Sequence, residues 1–214
     1  MKQSNLVRLA VCLILGQSAM GQTTSILVAA DARVQFFLNA IPVGQEYSYG
    51  FQNRLEFGSV RLGDPYEVYT LDLQHISKNA SADKVHILPT NEWRVPLKVR
   101  EASRALLTVS KVDGNWRAVD FGATTLAREL AQYESTTKPE PAKSFAVLRL
   151  YELDIDLLLI RSTASGEDAT VLIPLKSARD AFLQAGMTLN TQYSLQEFVP
   201  LVMALYSSRS NSQH

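Results

Sequence analysis

Residues 93–122 read WRVPLKVREASRALLTVSKVDGNWRAVDFG, and the reading of this stretch decides the fold. Trp93, Val95, Leu97 and Val99 alternate with Arg94, Pro96, Lys98 and Arg100, the period of a half-buried strand. Pro96 has no amide donor, which predicts an edge strand or an irregular point in the ladder. After a turn at residues 101–103, Ala105, Leu107 and Val109 alternate with Leu106, Thr108 and Ser110. That strand is apolar on both sides and is expected at the centre of the sheet. Asp113-Gly114-Asn115 is a hairpin signal, because the tight turn needs a positive φ that glycine adopts without strain. Residues 116–121 form the return strand. Gly122 ends it, and Thr124 or Thr125 is placed to cap a helix that buries Leu126, Leu130 and Tyr133.

Working towards the N terminus, Leu27, Ala30, Val34, Phe37, Leu38 and Ile41 fall at helical spacing. Residues 23–25 (TTS) offer caps for a helix beginning near Ile26, and Pro42 with Gly44 should stop it. Tyr47, Tyr49 and Phe51 alternate with Ser48 and Gly50. On extended backbone they would share a face, a candidate stacking platform for sugars or peptides. The plainer role is to cover one edge of the core, where large aromatics contribute most. Residues 63–65 make a turn, residues 66–73 alternate like a strand, and residues 77–91 read as a polar loop.

Towards the C terminus, residues 135–144 (STTKPEPAKS) are the clearest linker. Residues 145–161 form a β-rich run that pairs with residues 169–175 as a second hairpin. Ser177 with Asp180 approximates a capping box, and Gly186 closes that helix. Ser194 with Glu197 is a better capping box, starting a helix that carries Pro200 inside it. The expected organisation is a signal peptide at 1–21, an α+β domain at 22–134, a linker at 135–144, and a second hairpin with helices at 145–206. The last segment is either its own unit or part of the first, and residues 207–214 are a flexible tail.

The 21 Lys and Arg residues equal the 21 Asp and Glu, so no field favours a polyanion and no nucleic-acid partner is expected. Lys2 and Arg8, an apolar core at residues 9–15, and small residues Ala19 and Gly21 match a secretory signal cleaved after Gly21. The apolar run is far shorter than the ~20 residues of a spanning helix. Cleavage would remove Cys12, the only cysteine, leaving a cysteine-free mature chain without disulfides or thiol chemistry. An exported bacterial protein, periplasmic or secreted and without a transmembrane segment in its mature form, is the expectation.

Catalytic signatures are missing: the chain has no GxSxG, HExxH, GxGxxG or Walker-type loop. Of three histidines, His75 and His86 flank the polar loop and His214 is terminal. Glu152, Asp154 and Asp156 alternate with Leu153, Ile155 and Leu157. On a strand they would form a carboxylate row on one face, a candidate site for a hard cation that favours oxygen ligands. The competing reading is the wet face of a half-buried sheet. Arg94, Lys98, Arg100 and Arg117 are candidates for a basic sheet face, facing either an anionic partner or acids of the same sheet.

The order helix, antiparallel strands with W-x-V-P and D-G-x-W hairpins, helix resembles the cystatin-like and NTF2-like α+β arrangement, in which helices pack on a mainly antiparallel, curved sheet. The segments GDPYEVYTL, EWRVPLKV and LLTVSKVDGNWRAVDFG are also similar in style to uncharacterised exported bacterial proteins. The resemblance covers residues 25–134 and rests on the pattern of elements. The inhibitory Q-x-V-x-G loop of cystatins is absent, so neither inhibition nor any active-site residue carries over. Two functions stand. The first is a non-catalytic exported module, without a cofactor, that binds a protein, peptide or cell-envelope ligand through Tyr47, Tyr49 and Phe51. The second is a metal-assisted hydrolase using Glu152, Asp154 and Asp156.

Overall fold

The computed structural model describes residues 4–78, 85–136, 143–162 and 169–211, and of residues 4–20 the backbone alone. Helix α1 (Ser4–Ala40) leads to strands β1 (Val60–Leu62) and β2 (Tyr66–Leu71), then the short α2 (Leu73–Lys78). The meander β3 (Ile87–Val99), β4 (Ala102–Val112) and β5 (Asn115–Gly122) runs into α3 (Thr124–Thr136). A second meander of β6 (Lys143–Leu150), β7 (Ile155–Ser162) and β8 (Ala169–Pro174) is followed by α4 (Lys176–Gln184) and α5 (Leu195–Asn211).

The fold is α+β, with one open, mostly antiparallel sheet of eight strands in the order β5-β4-β3-β2-β6-β7-β8, and β1 attached to β3. The two meanders join where β2 and β6 run parallel, with Val68 opposite Val147. Residues 143–174 thus extend the same sheet as residues 60–122.

Alternation along the strands supplies two apolar faces, and each is covered. On one face Val95, Leu97, Leu107 and Val109 meet Ile26, Ala30, Val34 and Leu38 of α1. Further along that face, Leu148, Leu157 and Leu172 meet Phe182 of α4 and Phe198, Val202 and Leu205 of α5. The opposite face carries the residues in between: Leu106, Val147 and Leu158 pack on Ala127 and Leu130 of α3. Each fully buried side chain of this kind contributes about 1.5–3 kcal/mol.

Several sequence expectations hold. The turn at Asp113 and Gly114 has positive φ at both residues, 50° and 79°. β4 is interior, flanked by β3 and β5, but it lies one strand from the sheet edge rather than at the centre, where β2 stands. The capping box that starts α5 is formed reciprocally: Ser194 N donates to Glu197 Oε2 at 2.8 Å, and Glu197 N donates to Ser194 Oγ at 3.3 Å.

Others are corrected. α1 begins at Ser4 and runs on through residues 23–25, so those residues cap nothing. The strand bearing Pro96 is interior and not an edge, and the alternative expectation, an irregular point in the ladder, is the one that holds. Its neighbours on one side are β2, up to Tyr66 opposite Arg94, and β1, from Leu62 opposite Leu97. Pro96 falls at the break between them, where its missing donor costs no ladder bond and its carbonyl accepts from Gly63 N at 2.8 Å. Within residues 77–91, β3 already begins at Ile87. Ser177 and Asp180 do not form a capping box, because the Ser177 hydroxyl is engaged by Asp156 instead. Residues 145–161 are not one strand, because a 3₁₀ turn at Tyr151–Leu153 separates β6 from β7. Most of the linker at 135–144, and the loop at 166–168, lie outside the described residues. No helix among the described residues is long and apolar enough to cross a membrane.

Candidate functional site

The residues first singled out do not assemble into one site. Residues Glu46–Tyr49 form a 3₁₀ turn rather than extended backbone, so Tyr47, Tyr49 and Phe51 share no face. Tyr47 is 86% exposed and Phe51 is fully buried, edge-on to Phe57. Tyr49 stacks on Phe121 with ring centroids 5.6 Å apart. Two of the three therefore serve the core beside α1.

The carboxylate row is broken in the same way. Glu152 sits in the 3₁₀ turn, Asp154 follows at a left-handed φ of 54°, and only Asp156 lies on a strand, β7. Asp154 stands in solvent with its side chain 84% exposed, whereas Asp156 is buried. Among the described residues no group of three His, Cys, Asp or Glu side chains is arranged to hold a metal ion.

Asp156 does belong to another constellation. Beneath α3 the sheet face is apolar. One strand period on, at the same face, Leu106 gives way to Thr108, Val147 to Arg149 and Leu158 to Asp156, with Arg94 opposite Tyr66. This polar end is not covered by α3. It forms the floor of a cleft of about 450 Å³, walled by Thr125 and Glu129 of α3 and by Lys176 and Ser177 of α4.

The charges of the floor are held by one another. Arg149 donates to Asp156 Oδ2 at 2.7 Å through Nη1, and to the exposed Asp154 through Nη2. Its Nε is buried and makes no hydrogen bond among the described residues. Arg94 Nη2 lies 2.7 Å from Glu92 Oε1, and its Nη1 donates to the Thr108 hydroxyl. Of the basic residues expected to face acids of the same sheet, Arg94 pairs with Glu92 of its own strand, whereas Lys98 reaches Glu134 of α3, not an acid of the sheet, at 3.6 Å. Ser177 Oγ accepts from Asp156 N at 2.8 Å and lies 3.3 Å from Asp156 Oδ2, which pins α4 to β7. Burial pushes the Asp156 carboxyl above the usual aspartate range, although Arg149, Arg94 and Ser177 pull it down.

Two helix N-termini open on this cleft, and they differ. At α4, Glu129 of the neighbouring α3 caps in trans: both its oxygens accept from Lys176 N, at 3.0 and 2.9 Å, and Oε1 also accepts from Arg179 Nη2 at 2.5 Å. At α3 the preceding residue is Ala123, at φ 51°, and the first turn holds no acid. No side chain among the described residues caps it. Ala123, Thr125 and Leu126 of this end line the cleft. At the rim, Asp120 of β5 is exposed and its carboxylate has no partner among the described residues.

No protein-family model, no curated protein and no solved structure matches this chain. Arg149, Glu129 and Asp120 carry no reading from the sequence, and Ser177 is read there only as half of a capping box. Arg94 is one of the four basic residues expected to line a sheet face. The legible signal is narrow: one charged residue interrupts each apolar run, Arg149 within residues 145–150 and Asp156 within residues 155–160. Strands buried on both faces read as near-continuous hydrophobic runs, so such an interruption marks a polar gap in the cover.

Proposed function

We propose that this protein is an exported, non-catalytic binding module whose ligand seat is the cleft over Arg94, Arg149 and Asp156. The observation that carries the reading is preorganisation. Both arginines on the floor are already fixed by ion pairs, so a ligand entering a cavity of about 450 Å³ meets donors that need little further ordering. This moves the seat away from Tyr47, Tyr49 and Phe51. A protein or peptide terminus, or a small cell-envelope component, fits the dimensions. The part of the chain at residues 25–134 is read as cystatin-like or NTF2-like, supported by α1 lying along one face of β3, β4 and β5. A thermal-shift screen of the full chain against small charged metabolites tests the seat. Thr125→Trp, an exposed wall position, is expected to abolish the shift of any hit, and Tyr47→Ala to leave it intact. The reverse pattern, or no hit, would remove the cleft as the seat.

Export rests on the segment 2–21, with its basic start, apolar core and small residues at 19 and 21. Mass spectrometry of the exported chain is expected to find Gln22 at its N terminus. An intact Lys2 in the exported fraction would end this reading.

One observation favours a second reading, a hydrolase. A buried carboxyl with a raised pKa beside a hydroxyl, Asp156 with Ser177, is the kind of group that moves protons at a cleft. In that case Asp156, rather than the row with Glu152 and Asp154, would carry the chemistry. Any hydrolytic activity detected should vanish in Asp156→Asn; activity that persists there sinks this alternative.

A further inference from the structure

The three most exposed large apolar side chains among the described residues are Leu55, Tyr47 and Val43, at 90%, 86% and 85%. All three belong to the segment between α1 and β1. Single exposed apolar residues are ordinary on a protein surface, but several on one short segment mark a contact. They are set around one carboxylate. Glu46 accepts from Gly44 N through Oε2 at 2.9 Å and from Arg54 Nε through Oε1 at 3.0 Å. Val43, Tyr47 and Leu55 are the chain neighbours of these three residues.

The exposure is built in, because the segment is fastened from within. Ile41, Phe51 and Phe57 are buried on its inner side, and Arg54 also donates to the Ile41 carbonyl. Two further properties say what covers the outer side. The first is that no charge stands open. The charged residues of 42–57 are Glu46, Arg54 and Glu56; Glu46 pairs with Arg54, and Glu56 with Arg104 of β4. The second is that the backbone satisfies itself. The amides of Gln45, Ser48, Gly50 and Phe51 donate to the carbonyls of Pro42, Gln45, Tyr47 and Glu46, each at 3.0 Å. Gln52 N donates to Glu56 Oε2 at 2.8 Å, and Leu55 N to Asn53 Oδ1 at 2.9 Å. Water would serve such amides on any surface loop, whereas an apolar medium requires them to be paired inside the chain. A protein partner brings a polar rim that looks for hydrogen bonds and charges of its own, and this segment offers it few. A lipid surface asks for apolar side chains without open charge, and for a tyrosine whose ring and hydroxyl suit the boundary with water.

We infer that residues 42–57 dock on a lipid surface, with Val43, Tyr47 and Leu55 entering its interfacial layer. The contact is separate from the cleft and needs no ligand there. It gives Tyr47 a role that stacking on a sugar or peptide does not supply. Preorganisation lowers its cost, since the segment is already ordered in the free chain.

The test uses the full chain with vesicles of phosphatidylcholine, alone or mixed with phosphatidylglycerol. Residues 9–15 are apolar as well, so the readout is placed on the segment itself. Tyr47→Trp adds a tryptophan to the parent chain's Trp93 and Trp116, and phosphatidylcholine brominated in its acyl chains is the quencher. The added emission is expected to shift to the blue and to be quenched. Quenching should be equal with both vesicles and insensitive to salt, because no open charge takes part. In the same background Val43→Ser and Leu55→Ser, both at exposed positions, should each raise the lipid concentration at half-maximal quenching about tenfold. An added tryptophan that stays unquenched while the chain sediments with vesicles would overturn the inference, since another segment then holds the lipid. So would quenching confined to phosphatidylglycerol vesicles and lost in salt. A chain that ignores vesicles but forms a dimer dissolved by Leu55→Ser would give this surface to a second copy instead, and end the lipid assignment.

Discussion

Replacing Gly50 with alanine is expected to destabilise the chain by about 2–5 kcal/mol, enough to unfold a domain of ordinary stability in part. Two effects add. Gly50 ends the 3₁₀ turn Glu46–Tyr49 with φ 88° and ψ −4°, a left-handed conformation that costs an L-residue about 1–2 kcal/mol. A β-carbon there would also lie 2.1 Å from the Arg104 carbonyl oxygen and 3.1 Å from Thr124 Cγ2. Neither neighbour is free to give. Arg104 is within β4, and Thr124 is the first residue of α3. Forcing extra volume into such a place costs about 1–3 kcal/mol more. Denaturant unfolding compares the two chains, with Gly44→Ala as the control. Gly44 also has a positive φ, 86°, but nothing lies within 4 Å of a β-carbon there. A Gly50→Ala variant no less stable than Gly44→Ala would show that the close approach to β4 is absent in solution.

That glycine also shows where the sequence was legible and where it was not. Gly114 was read correctly because its turn is local: the two residues that need positive φ are adjacent, between two alternating strands. Gly50 is constrained by Arg104 and Thr124, 54 and 74 positions away in the chain, and no local pattern reports such a contact. The aromatic alternation at Tyr47, Tyr49 and Phe51 looked extended for the same reason. Glu46 outweighs it. Its carboxylate accepts from Gly44 N at 2.9 Å and from Arg54 Nε at 3.0 Å, closing the segment into a turn. These bonds, with that of its own backbone amide first among them, hold the Glu46 carboxyl below its ordinary pKa.

Of the two placements expected for Pro96, the irregular point holds and the edge does not. A proline in a strand belongs where no ladder donor is needed. An edge satisfies that rule, and so does a break between two partner strands, which only the pairing of β1 and β2 reveals. Periodicity gave the sheet and its helices because burial repeats every second or fourth residue. The cleft is set by register across four strands and by where α3 stops, so its members sit far apart in the chain. Arg149 and Asp156 are brought face to face by the β6–β7 hairpin. The turn between them is the same 3₁₀ turn that broke up the expected carboxylate row.

Arg149→Met is expected to destabilise the chain by about 3 kcal/mol at neutral pH, and most of that loss should be recoverable in two different ways. Asp156 is 7% exposed, and without the guanidinium its carboxylate keeps only the Ser177 hydroxyl and the more distant charge of Arg94. Breaking one side of a buried pair leaves the other charge uncompensated, which costs more than the intact pair was ever worth. The first recovery is by acid. Burial already holds the folded-state pKa of Asp156 above its unfolded value, and loss of Arg149 raises it further. A group shifted up in this way favours the folded state below its unfolded pKa of about 3.9 and loses that contribution as pH rises through the folded value. The deficit of the variant should therefore open as pH rises from about 4 towards neutrality. Glu46 and Glu197 have lowered pKa values and act in the opposite direction, but equally in both chains, so they cancel in the difference. The second recovery is by removing the orphaned charge. Asp156→Asn in the Arg149→Met background should restore most of the lost stability at neutral pH, because replacing both members of a buried pair is close to neutral. Thermal melts of the four chains across pH decide it. If the double variant is as unstable as Arg149→Met, or the deficit does not change with pH, then Arg149 acts in the floor through the packing of its stem and not through its charge, and the preorganised cation on which the cleft depends is lost with it.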